Sequence, residues 1–307
     1  MRVAVVDIGT NSTRLLIADV SQNGLTELDR RSVVTRLGEG VDATGALGEV
    51  PQQRVFAVVE DYARAIEAAG CEARTAVMTS AVRDASNGAA FAAIVREKYG
   101  LAGRTLSGDQ EARLTFLGAT TGRHHPTSDS GPLMVIDIGG GSTEFVVGAA
   151  DAVEFFVSTQ AGVVRHTERH LHSDPPTPTE LEALAADARA VIEQAVPADV
   201  LERVGEAVAV AGTATQCAAI DLALDPYDPD RVEGHELSKA TLEALLTRLA
   251  SQPLEERRGV IGLDPSRAPT IVAGVVILLE VLRAFTLESA TISERDILWG
   301  VALETAR

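Results

Sequence analysis

Apolar and polar positions along the chain change period several times, and the changes mark its elements. Leu133-Met134-Val135-Ile136 is an unbroken apolar run of the length of a buried strand. Asp137, Ile138, Gly139, Gly140, Gly141, Ser142 and Thr143 follow, and Phe145-Val146-Val147 resumes the apolar run. The pattern predicts a β-hairpin with a polar glycine tip. Glycines permit backbone angles that other residues disfavour, and they let main-chain N–H groups come close to an anion. No Gly-Lys-Ser/Thr follows and no helix begins at the tip, so this is not a P-loop.

The hairpin has a second copy. Val3–Asp19 (VAVVDIGTNSTRLLIAD) aligns with it without gaps, and Val5/Val135, Asp7/Asp137, Ile8/Ile138, Gly9/Gly139, Ser12/Ser142 and Thr13/Thr143 are identical pairs. Two such hairpins predict two related lobes whose tips confront one another across a cleft that takes a polyphosphate group.

Between and after the hairpins the periodicity alternates. A third strand is expected over Leu25–Leu37. Helical spacing of Val55, Val58, Val59, Tyr62 and Ile66 predicts a helix over Pro51–Ala69, stopped by Gly70. Strands over Ala73–Thr79 and Arg104–Leu106 flank a helix over Asn87–Tyr99, and Ser107 with Gln110 forms a capping box that opens a helix to Gly118. Gly122–Pro132 is polar, rich in turn formers, and reads as the connection between lobes. The second half repeats the order, with a strand over Ala152–Thr159, a helix over Pro178–Val196 and a strand over Ala207–Ala211. Helices over Leu237–Leu249 and Ile271–Ala284, a strand over Ala290–Ile292 and a final helix from Ser293 complete it. The expected division is 1–124 and 125–307, with 293–307 packing back on the first lobe. Mixed sheets covered by helices place the chain in the α/β class.

Composition narrows the function. With 307 residues and 46% apolar content the chain can build two cores. A formal charge of −17 argues against DNA or other non-specific nucleic-acid binding, which needs a basic footprint. It also requires that any polyanion site carry local arginines or Mg²⁺. Cys71 and Cys217 read as buried free thiols. The longest apolar run, Ile271–Leu279, is too short to span a bilayer, and Met1–Val6 enters a strand directly, so a soluble cytoplasmic protein is expected.

DIGTNSTRLLIADV, TSAVRDASN (Thr79–Asn87), SGDQEARLTFLG (Ser107–Gly118), VIDIGGGSTEF (Val135–Phe145), AGTATQCAA (Ala211–Ala219) and SRAPTIVAGVVIL (Ser266–Leu278) together resemble the exopolyphosphatase and guanosine pentaphosphate phosphatase family. That family lies within the actin-like ATPase and sugar-kinase superfamily. The resemblance implies two related β-β-β-α-β-α lobes of ribonuclease H-like, actin-like ATPase fold with an interlobe cleft. It implies an exopolyphosphatase that releases orthophosphate from the ends of inorganic polyphosphate, or a guanosine pentaphosphate phosphohydrolase, and a homodimer. The family has two glutamates after Ser-Gly-Asp where this chain has Gln110-Glu111, and longer members carry a further C-terminal helical region. Together with the acidity, that departure points to short chains.

On the resemblance, Glu111 is the general base that takes a proton from water; read from spacing alone, it is a helix-start carboxylate favoured by the helix dipole. Glu144 is expected to orient water or Mg²⁺. Asp7 and Asp137 are candidate Mg²⁺ ligands, directly or through water, or else Asx caps of the tips. The phosphate cradle is Asn11, Ser12, Thr13, Gly139, Gly140, Gly141, Ser142 and Thr143, joined by Gly212 and Thr213 at a strand end. The resemblance singles out Arg83 and Arg267 as phosphate clamps, since guanidinium forks pair phosphate oxygens, with Arg14 and Arg165 as further candidates. His166-x₃-His170 has helical spacing, but without an HExxH pattern it reads as a solvated helix face, and His124-His125 as an exposed linker. Two rivals share the two-tip architecture: an ATP-dependent small-molecule kinase, and a non-enzymatic switch that binds nucleotide or polyphosphate.

Overall fold

The computed structural model describes residues 1–21, 24–122, 131–149 and 152–306. The chain divides into two compact units, residues 1–123 with 296–307, and residues 124–295. His124 and His125 lie outside the described residues.

The first unit opens with strands β1 (Arg2–Ile8), β2 (Ser12–Ser21) and β3 (Gly24–Val34). Helices α1 (Val41–Thr44) and α2 (Glu49–Ala68), strand β4 (Ala73–Met78), helices α3 (Ser80–Asp84) and α4 (Gly88–Tyr99), strand β5 (Ala102–Thr105) and helix α5 (Gly108–Thr120) follow. The five strands lie in the order β3-β2-β1-β4-β5, antiparallel in the hairpins and parallel from β1 to β5. Alternation along β1 sorts its side chains to two faces. Ala4, Val6 and Ile8 join a core with Val55, Val59, Tyr62 and Ile66 of α2 and Phe91 of α4. Val3 and Val5 join Leu114 of α5 and Ile297, Leu298 and Val301 near the chain end.

The second unit runs β6 (Leu133–Ile138), β7 (Thr143–Ala149), β8 (Ala152–Thr159), α6 (Val163–His170), α7 (Pro178–Ala195), α8 (Ala198–Arg203), β9 (Glu206–Val210), α9 (Ala211–Asp221) and α10 (Pro229–Val232). It ends with β10 (Glu236–Ser238), α11 (Lys239–Ala250), α12 (Leu254–Arg257), α13 (Ile271–Ala284) and β11 (Ser289–Ile292). Its sheet order, β10-β11-β9-β6-β7-β8, repeats that of the first unit with one added edge strand. Helix α13 is buried along nearly all its length, which accounts for a sequence apolar on every side. The last helix, α14 (Ile297–Thr305), returns to the first unit, where it packs on α5 and β1.

The two hairpins, the Ser107–Gln110 capping box and helix α13 form where the sequence predicts, and a second capping box, Thr177 with Glu180, opens α7. Four departures have local causes. Strand β3 stops at Val34 because Thr35 and Arg36 turn under the first tip, donating to Asn11 O at 2.9 and 2.8 Å, with Arg36 at φ 49°. Residues Ala211–Thr215 are the first turn of α9 rather than a loop. Helix α14 starts at Ile297, not Ser293, because Asp296 caps it through Leu298 N at 3.0 Å. Cys217 is buried but Cys71 is partly exposed, and both are free. Among the described residues no helix is long and apolar enough to cross a membrane.

Candidate active site

Each unit presents one hairpin tip, and the tips share a backbone signature. Gly9 N donates to Ser12 O at 2.9 Å, and Gly139 N donates to Ser142 O at 2.9 Å. A Cβ at Gly9 or Gly139 would stand 3.1 or 3.2 Å from that same serine oxygen. Close approach is therefore what favours glycine here. The expectation of unusual dihedrals is not met, since none of Gly139, Gly140 and Gly141 has left-handed φ.

In the first unit the tip is tied to the helices beside it. Thr10 Oγ1 meets Ser80 Oγ at 2.8 Å and accepts from Ala81 N at 3.2 Å, which joins the tip to α3. Arg83, expected directly after a strand, lies on α3. Its Nη1 donates to Glu111 Oε2 and to Leu106 O, both at 3.0 Å. Glu111 is 7% exposed and sits in the first turn of α5, below the Ser107–Gln110 capping box. Helix α5 is held by α14 through backbone contact at two glycines: a Cβ at Gly118 would meet Asp296 O at 2.0 Å, and one at Gly300 would meet Leu114 O at 1.8 Å.

Asp7 does not cap the tip. Its Oδ2 accepts from Arg14 Nε at 2.8 Å and Nη2 at 2.5 Å, while Oδ1 is buried without a hydrogen-bond partner among the described residues. Arg14 also pairs with Asp296, which receives Arg30 Nη2 at 3.3 Å. Burial raises the Asp7 pKa and Asp296 adds to the rise, while the Arg14 guanidinium opposes it. Arg14 is thus bound to buried carboxylates, which removes it as a phosphate clamp.

In the second unit α6 grips the glycine loop from beneath. Val163 N donates to Gly139 O at 3.0 Å, Val164 N to Gly140 O at 2.8 Å, and Arg165 Nε to Gly141 O at 3.0 Å. In a trans peptide the N–H points opposite to the preceding C=O. The N–H groups of Gly140, Gly141 and Ser142 therefore face away from α6, which makes a concave row of donors suited to an anion. Gly162 allows the grip, because a Cβ there would stand 2.3 Å from Gly141 C and 2.4 Å from Gly140 O.

The same hairpin places two carboxylates opposite each other. Asp137 and Glu144 are register partners, 6% and 1% exposed, and Glu144 Oε1 accepts from Ser158 Oγ at 2.6 Å. Beside them Thr213 Oγ1 donates to Ile138 O at 3.1 Å, and a Cβ at Gly212 would stand 2.0 Å from Arg267 Nη1. Among the described residues no set of three or more His, Cys, Asp or Glu side chains is gathered for a metal.

These arrangements have counterparts among known proteins. The pattern of the Ppx/GppA phosphatase family matches residues 16–306. The chain belongs to the Ppx/GppA phosphatase family. It is 35% identical over 318 residues to a protein named exopolyphosphatase 2 of Mycobacterium tuberculosis, a match that covers 99% of this chain and 98% of that protein. Exopolyphosphatase 1 of the same organism is 30% identical over 311 residues, covering 99% and 88%. A crystal structure of an Aquifex aeolicus Ppx/GppA family member superposes with a TM-score of 0.81 at 31% identity, covering 100% of this chain and 97% of that one.

Of the expected residues, Asp7, Asn11, Ser12, Arg83 and Glu111 belong to the first unit, and Asp137, Gly139–Ser142, Glu144, Gly212, Thr213 and Arg267 to the second. Thr13 and Thr143 are corrections. Both are fully buried; Thr13 Oγ1 meets Thr35 Oγ1 at 3.0 Å and Thr143 Oγ1 donates to Ala161 O, so neither hydroxyl faces an anion. The His166 reading is a correction too, because that side chain is 0% exposed rather than solvated. Sequence reasoning missed Thr10, Ser80, Gly162 and Asp296. Only Asp296 carried a signal, as an N-cap residue before the apolar run Ile297-Leu298-Trp299.

Proposed function

We propose that the protein is an exopolyphosphatase, a hydrolase that releases orthophosphate from the end of inorganic polyphosphate. The observation that carries the reading is one hairpin that presents three outward amides next to two buried carboxylates set directly opposite each other. Amides bind phosphate. Like charges opposed across a ladder are unfavourable unless a cation or proton intervenes.

The Asp137–Glu144 pair fits Mg²⁺, and these two would hold the ion. Asp7, with one oxygen on Arg14 and the other without a hydrogen-bond partner among the described residues, is the first unit's own candidate to hold Mg²⁺, directly or through water. The ion, when bound, neutralises phosphate oxygens and eases charge build-up on the leaving phosphate. The chain's own groups do the rest. The Gly140, Gly141 and Ser142 amides hold phosphate in the second unit, and Asn11 and Ser12 are the phosphate-binding candidates of the first. Arg267 and Arg83 neutralise outer oxygens. Glu111 takes the proton as the water oxygen bonds to the terminal phosphorus and the bridging P–O bond breaks. The carboxylate of Glu111 is held by Arg83 at the start of α5, so its direction is set before substrate arrives.

The net charge of −17 favours short polyphosphates over long ones. Two free thiols suit a reducing cytoplasm. A homodimer is the expected assembly, to be measured by light scattering.

The test is a phosphate-release panel with polyphosphates of defined length, guanosine pentaphosphate and ATP, with and without Mg²⁺. We expect Mg²⁺-dependent release that is fastest on polyphosphate and falls with chain length. Preference for guanosine pentaphosphate would move the activity to the family's other substrate. Transfer from ATP to a metabolite would replace hydrolysis by a kinase reaction.

A further inference from the structure

Behind the glycine loop lies a buried polar group that the hydrolytic reading leaves unused. His166, one turn into α6, is 0% exposed. Its Nδ1 lies 3.2 Å from Gly162 O. A carbonyl only accepts, so Nδ1 carries the proton and the neutral ring's Nε2 is an acceptor. That Nε2 has no hydrogen-bond partner among the described residues and faces Asp187 Oδ2 at 3.5 Å. Asp187, on α7, accepts from His170 Nε2 at 2.8 Å.

The Gly162 carbonyl belongs to the peptide whose N–H, that of Val163, donates to Gly139 O at 3.0 Å. The Gly139 carbonyl in turn belongs to the peptide whose N–H is that of Gly140. The bonds form one series, from the His166 imidazole through the Gly162–Val163 peptide and the Gly139–Gly140 peptide to the outward amide of Gly140. Hydrogen bonds in series polarise one another, so the donor at the far end responds to the group at the near end.

We propose that His166 is a positioning residue for phosphate binding: through two peptide groups it orients and polarises the Gly140 amide that meets the anion. The inference rests on the reading that the glycine loop holds phosphate. The groups facing the imidazole are Asp187 of α7 and His170 and Arg169 of α6. On α13, packed against α6, Glu280 is bound by Arg189 and Arg283, and Arg283 also by Glu243. Burial lowers the His166 pKa against the pull of Asp187, so the ring is neutral at pH 7. In acid, protonation sets an Nε2–H against Asp187 and makes Nδ1–H a stronger donor.

The test reads the Gly140 amide by ¹H–¹⁵N NMR in the wild-type protein, and needs no hydrolysis. Imidodiphosphate, a non-hydrolysable diphosphate, should shift the Gly140 resonance. A flat response removes phosphate from the loop and this inference with it. Without ligand, the Gly140 amide proton should move downfield as the His166 ring takes up its proton. A resonance that stays still through that titration overturns the relay while leaving phosphate binding intact. In His166→Phe the ring remains and the donor is gone. Imidodiphosphate affinity should fall about threefold to tenfold, with KM for polyphosphate rising by the same factor and kcat changing less, since the amide holds ground and transition states alike. Wild-type affinity and KM in a folded His166→Phe protein would also overturn it.

Discussion

The two hairpin tips share one pattern and differ at three positions, Thr10/Gly140, Asn11/Gly141 and Arg14/Glu144, of which the last changes the sign of a charge. Asp7 and Asp137 are equivalent, and each has a register partner on the next strand. In the first tip that partner is Arg14; in the second it is Glu144. Opposite charges close the first tip into a buried ion network that runs Asp7–Arg14–Asp296–Arg30. The second tip instead sets two buried carboxylates opposite each other. The same backbone therefore serves as an anchor in one unit and as a candidate reaction centre in the other. Duplication supplied the geometry, and a change of sign at one strand position separated the roles.

The largest effect expected from this contrast is on hydrolysis. Glu144→Gln should lower Mg²⁺-dependent phosphate release by about 10²–10³, while the metal-free melting temperature holds within about 2 °C. A fall of several degrees in calorimetry would make Glu144 structural and erase the contrast. Arg14→Met should do the reverse. It leaves Asp7 and Asp296 buried without their shared cation, and urea unfolding should show a loss of about 3–5 kcal/mol.

Two glycines sharpen the comparison further. Gly162→Ala sets a methyl against loop backbone, so a loss of about 1–3 kcal/mol and weaker imidodiphosphate binding are expected by denaturation and calorimetry. Gly38→Ala, under the first tip, meets the Thr10 side chain, Cγ2 at 2.1 Å, rather than backbone at that range, and turning that side chain gives up its bonds to Ser80 and Ala81. It should cost less than the Gly162 change. An equal cost would mean that both loops are equally rigid.

The smallest effect is on pH dependence. The folded His166 pKa lies below the ordinary 6.5, so the unfolded chain takes up its proton first as pH falls. Stability should drop from pH 6.5 down to the folded value, and His166→Phe should flatten that drop. Asp7 has the opposite sign: its pKa is raised, so its contribution grows as pH falls through the folded value. It is common to both proteins and cancels when urea midpoints at pH 7.5 and 5.5 are compared between them.

The hairpins, the repeat and α13 were legible in the sequence because each rests on local pattern, whereas Glu111, Arg83 and Arg267 were singled out by the resemblance alone. What was not legible depends on what packs against it. Thr13 and Thr143 have donor hydroxyls, but they lie opposite Ile8 and Ile138 in the ladders, and that parity turns them into the cores. Strand alternation could have shown this. His166 sits in a run of polar residues that reads as a wet surface, and only the convergence of α6 on the loop and α7 makes it buried. Helix α3 is one turn long and has no periodicity to detect, so Arg83 was expected one element too early.

Asp296 and α14 are the last parts of the first unit to leave the ribosome, after the whole second unit has been made. Until then Arg14 lacks one of its two carboxylates, and Val3, Val5, Leu16 and Leu114 lack the apolar helix that covers them. A nascent chain stalled before residue 296 should therefore expose a sticky sheet face to chaperones and proteases, and the emergence of α14 is the event that closes it.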